Sequence, residues 1–69
     1  MALHAYEARA VQEAIESGMA RSELTAILDG LRVTEVVPPC EDEPPEDYAA
    51  RATAELMVRY LAQDGLRPV

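Results

Sequence analysis

The chain has 69 residues, with six arginines, no lysine and 13 acidic residues, giving a formal net charge of -7 and a sequence pI near 4.4. That length bounds it to one small domain over residues 1–69 with a thin core, because so short a chain buries only about 60% of its unfolded surface. The acidity argues against nucleic acid, whose binders set clustered Lys/Arg against phosphates, and against an anionic membrane surface. It favours a protein partner.

Other supports for a small fold are missing. Cys40 stands alone and cannot form an internal disulfide, and no Cys/His spacing suits structural zinc, so no metal or cofactor is expected. Oligomerisation is the remaining common support for a mini-protein, and a homodimer is expected. The start MALHAYEARA lacks a basic segment followed by an apolar run, so it does not read as a signal peptide. No stretch approaches the roughly 20 apolar residues of a membrane span. A free cysteine is tolerated in a reducing compartment, which places the chain in the cytoplasm.

The predicted class is all-α. A first helix is expected over 2–17, with Leu3, Ala10, Val11, Ala14 and Gly18 on one face, flanked by Tyr6 and Ile15. Gly18 suits the left-handed residue that ends a helix. A second helix is expected over 20–31, with Leu24, Ile27, Leu28 and Leu31 as its apolar stripe. Arg32 to Val37 alternates enough for a short strand at 32–37, its partner the same strand of a second subunit, or for extended linker. Residues 38–45 form an acidic, Pro-rich linker that reads as extended and solvated.

A third helix is expected over 46–63, opened by Pro44 and Pro45 and stopped by Gly65 and Pro68. Glu46 and Asp47 complement the positive end of its dipole. Ala50, Ala54, Met57, Val58 and Leu61 share one face, widened by Thr53, Leu56 and Tyr60. That face is the expected dimer interface. Arg51, Glu55 and Arg59, four apart, form an expected ion-pair ladder on the other side.

Residues Ala14 to Asp29 resemble the helix-turn-helix segment of repressors. Ala14, Gly18, Met19, Leu24, Ile27 and Leu28 occupy the positions that let two helices cross and pack. Those positions encode shape alone. The recognition surface would be Ala20, Arg21, Ser22, Thr25 and Ala26, with one base-reading arginine and few phosphate anchors, so DNA binding is the alternative and not the leading expectation.

The acids of CEDEPPED lack the regular spacing and glycine turn of a calcium loop, and a solvated linker is the simpler assignment. Mimicry of a phosphate backbone is a sharper alternative. Catalysis has almost no foothold: His4 lies near a terminus, and Cys40 sits beside acids that blunt a thiol's nucleophilicity. A non-enzyme is expected.

Tyrosine and arginine are favoured anchors of protein interfaces. Tyr48 and Arg51, one helical turn apart, form the expected exposed contact pair beside Glu41, Asp42, Glu43, Glu46 and Asp47. Tyr6 and Tyr60 border apolar arcs and are expected to pack inside.

In length, acidity, alanine and arginine content and helical character, the chain resembles small phage-encoded host-takeover proteins. Within that group it is similar to anti-quorum-sensing early proteins of Pseudomonas phage. The resemblance implies a helical homodimer that binds the host quorum-sensing regulator LasR and blocks its DNA binding. It further implies the pilus assembly ATPase PilB as a second target. The resemblance transfers no individual residue. The expected function is therefore a non-enzymatic, protein-binding inhibitor of a host transcription factor. The alternative is a small helix-turn-helix DNA-binding regulator.

Overall fold

Helix α1 runs Leu3–Glu16 in a computed structural model that describes residues 3–65, with side chains to residue 62. Its inward side carries Ala10 and Ala14, both fully buried, and their small size lets a neighbouring helix lie close. Gly18 ends it at φ +107°, where a side chain would be strained. The Gly18 N–H then donates to Ile15 O at 3.0 Å and the Met19 N–H to Ala14 O at 3.2 Å, the paired bonds of a Schellman cap.

Helix α2, Arg21–Leu28, has an alanine at its N-cap, which offers no side-chain acceptor. Glu23 compensates from inside the first turn by accepting the Ala20 N–H at 2.8 Å. The expected extent to residue 31 is corrected. Asp29 (φ +53°) and Gly30 (φ +84°) are both left-handed, so the helix stops at Leu28 and Leu31 stands 52% exposed.

The expected strand at 32–37 is also corrected: Val33–Val36 is a single helical turn, α3, and no strand occurs among the described residues. Val33 and Val37 point inward at a spacing of four, which satisfies a period of two and a helical turn equally. A distant residue decides between them. The Glu7 carboxylate of α1 accepts the Val33 N–H at 2.8 Å and the Thr34 N–H at 2.9 Å, holding the free amides that begin a helix.

The linker is largely exposed to solvent, as expected, but it is a turn and not the extended segment expected. Val37 is buried, Asp42 adopts φ +64°, and the Glu43 N–H donates back to Cys40 O at 3.2 Å. The segment is a turn strapped to the helices on either side, with Pro38, Cys40, Pro44 and the acidic tips Glu41 and Asp42 exposed and the Glu43 side chain drawn inward.

Helix α4, Pro45–Gly65, is the long element, with proline at a first-turn position where a missing N–H costs nothing. It buries Tyr48, Ala49, Ala52, Thr53 and Leu56, with Tyr60 and Met57 at the edges of the core. The face expected as the dimer interface lies beside this core-facing side and not on it. Ala50, Ala54, Val58 and Leu61 lie outside this core, exposed to solvent, and Met57 is half-buried.

Helices α1 and α4 lie side by side and run in the same direction. Tyr6 meets Tyr48 at one end, and Glu23 just after α1 meets Tyr60 towards the other. Between them α2, α3 and the strapped turn carry the chain back to the start of α4. One apolar cluster draws on all four helices, from Ala10 and Ala14 through Leu24 and Val33 to Tyr48 and Leu56.

Candidate protein-binding surface

The residues expected to meet a partner divide into two groups. The Tyr48 ring is fully buried and its hydroxyl donates to Val37 O at 2.7 Å, which corrects its expected exposure. Burial pushes the phenol up to about 12, with the nearby Glu7 charge adding to the rise. Tyr6 packs edge-on against the ring at 5.4 Å between centroids, and its own hydroxyl reaches Glu43 O at 2.6 Å.

Arg51 is folded back onto its own chain, though its side chain stays 39% exposed. Its Nε and Nη2 donate to the two Glu43 carboxylate oxygens at 2.9 and 2.8 Å, and Nη2 also donates to Pro38 O at 2.9 Å. Its guanidinium carbon lies 5.6 Å from the Tyr48 ring centroid. The expected ladder to Glu55 gives way to this clip because the planar fork matches a carboxylate in two bonds and the turn presents Glu43 to it. The Arg51 fork, with the Cys40 N–H, lowers the Glu43 carboxyl to about 2. In return Glu43 raises Arg51 above its usual range.

The clip turns one acid inward and leaves four outward. Glu41 and Asp42 on the turn and Glu46 and Asp47 on the first turn of α4 are all exposed, at one end of the molecule. Asp47 also stands at the head of the exposed row Ala50, Ala54, Val58 and Leu61. An acidic end and an apolar row thus adjoin on one helix.

Two carboxylates escaped the sequence-level search. Glu7 secures α3, and Glu23 joins α2 to α4 by accepting the Tyr60 hydroxyl at 2.5 Å. That bond, with the Ala20 N–H, lowers the Glu23 carboxyl. Each was an ordinary polar residue on an amphipathic helix, and only the return path of the chain reveals its partner.

The helix-turn-helix surface has the exposure its shape implies: Ala20, Arg21, Ser22, Thr25 and Ala26 all face solvent. Its packing differs, since α2 rests more on α4 than on α1. A shallow groove of about 530 Å³ runs beside Val11 and Ile15 to Arg21, and a smaller one of about 230 Å³ lies between His4, Glu7 and Arg32. Cys40 is a free, exposed thiol. Among the described residues no group of three His, Cys, Asp or Glu side chains is placed to hold a metal ion, and no helix is long and apolar enough to cross a membrane.

No family model matches the chain, and no similar curated protein or solved structure is found for it.

Proposed function

We propose that this chain is a non-enzymatic protein-binding inhibitor that covers a basic surface of a transcriptional regulator. The outward cluster Glu41, Asp42, Glu46 and Asp47 carries the proposal. Four carboxylates on a strapped turn and a helix start form a fixed acidic end, complementary to the arginines and lysines with which a regulator grips DNA phosphates. A rigid acidic face competes for that surface without chemistry. The resemblance to host-takeover proteins makes the quorum-sensing activator LasR the first regulator to test, and PilB the second target. Tyr48 has no part in the contact, and Arg51 contributes by holding the turn in shape.

The test is displacement of a fluorescent target duplex from purified LasR by the added chain. The expected result is release of the duplex, weakened when Glu41, Asp42, Glu46 and Asp47 are changed to their amides, with the difference shrinking at high salt. Equal inhibition by the amide variant removes the acidic end from the mechanism.

The exposed outer side of α2 supports a second function, direct DNA binding through Arg21. Retention of one defined duplex by the chain alone, resistant to competitor DNA and lost in Arg21→Ala, would establish it in place of the first.

A further inference from the structure

The row Ala50, Ala54, Val58 and Leu61 follows spacings of four, four and three along α4, a line of side chains turned away from the core. Val58 and Leu61 are 64% and 59% exposed, a large apolar outlay for a chain with so small an interior. We infer that a second copy of the chain covers this row, its α4 antiparallel to the first and crossing at Ala54.

Three features select that occupant and that direction. A two-fold axis at Ala54 sets each Ala50 opposite Val58 of the partner subunit, small against large. The alanine at the crossing lets the helix axes approach towards the short end of the usual 8–10 Å. Charge selects the direction. A parallel pair would bring Glu46 and Asp47 of both copies together, whereas the antiparallel pair separates the two Asp47 positions by about 21 Å along the axis.

The flank of the row completes the match. Arg51 and Glu55 border it on the same side, where an antiparallel two-fold brings like flanks together. Arg51 uses Nε and Nη2 within its own chain, and Glu55 is exposed, its carboxylate meeting no hydrogen-bond or ion-pair partner among the described residues. The crossing brings the level of each Arg51 within about 3 Å, along the axis, of Glu55 of the partner subunit.

Counted from Asp47 to Leu61, which the two-fold sets opposite one another, the strip is about 21 Å long and about 10 Å wide, smaller than a standard specific interface, so a weak dimer that dissociates at the upper end of the micromolar range is expected.

The proposal is tested by oxidative cross-linking in a Cys40→Ser background. Ala50→Cys and Val58→Cys chains, mixed, are expected to join 50 to 58, while each chain alone joins poorly. Dominant 50–50 and 58–58 products establish a parallel pair and overturn the assignment. So does monomeric sedimentation of the unmodified chain at every concentration up to and through the range expected. Leu61→Asp is expected to weaken the dimer at least tenfold with helicity unchanged, because Leu61 lies outside the core. Glu55→Arg serves as a milder second variant, with several-fold weakening. These substitutions leave the four outward acids in place. A monomer that still displaces the duplex defeats only the dimer, and a dimer that fails to displace it defeats only the acidic end.

Discussion

Arg51 shows how one side chain links three parts of the chain. Its fork holds Glu43, its Nη2 holds Pro38 O, and its plane lies near the Tyr48 ring. The pH dependence follows from Glu43. Its carboxyl is near 4.5 when unfolded and about 2 when folded. The stability it contributes is therefore fully present above about pH 4.5 and is lost as pH falls through the folded value. Acid titration of the melting temperature should show this decline, and Glu43→Gln should start lower and decline less.

Tyr48 works at the opposite end of the scale. Its phenol is raised from 10 to about 12, so stability is fully present below pH 10 and is lost as pH rises towards 12, where only the unfolded chain ionises readily. Tyr48→Phe should remove that alkaline decline. At neutral pH it should cost about 1–3 kcal/mol, because Val37 O then loses its donor in a buried site. Chemical denaturation at pH 7 and at pH 10.5 separates the two effects. A variant as stable as the parent at pH 7 would mean the Val37 carbonyl finds another donor.

Among the elements, α2 has the slightest hold. Only Leu24 is fully buried on it, and left-handed turns stand at both ends, Gly18 before and Asp29–Gly30 after. Glu23 both caps its start and ties it to Tyr60 on α4. Tyr60→Phe should thus speed hydrogen exchange of the α2 amides while α1 and the first half of α4 stay protected. Uniform acceleration across all helices would show that α2 opens only with the whole fold. At the preceding turn, Gly18→Ala meets no atom within 4 Å, so its cost is purely conformational, about 1–2 kcal/mol in a thermal or denaturant melt.

At the scale of the molecule, charge works against compactness. A net charge of -7 on 69 residues, with four acids at one end, repels itself in the folded state more than in the expanded chain. Added salt should accordingly raise the melting temperature between low and physiological ionic strength, an interval over which the Debye length falls from about 30 to about 8 Å. A fall instead would mean that the Arg51–Glu43 pair outweighs the repulsion. The same repulsion favours the antiparallel arrangement in the proposed dimer, which keeps the two acidic ends apart.

Local chemistry decided much of this protein. Gly18 after the run Ala10–Ala14 ends α1, because glycine enters the left-handed region without penalty. Pro44-Pro45-Glu46-Asp47 starts α4, because proline and acids suit a helix N-terminus. These signals act within one or two turns and need no knowledge of the rest of the chain. The apolar face of α4 is another matter. Alanine is spread around much of that helix, so its periodicity points weakly in every direction, and the core formed where Tyr48 and Leu56 could pack against α1. The burial of Tyr48, the folding back of Arg51 onto Glu43, the helical turn at Val33–Val36 and the latch at Glu23 were likewise settled by partners outside the local helix. Glu7 lies 26 residues from Val33, and Glu23 lies 37 from Tyr60. A carboxylate's charge and reach are written in the sequence. Which amide or hydroxyl it meets depends on α1 and α4 running in the same direction, and that direction is a property of the packed fold alone.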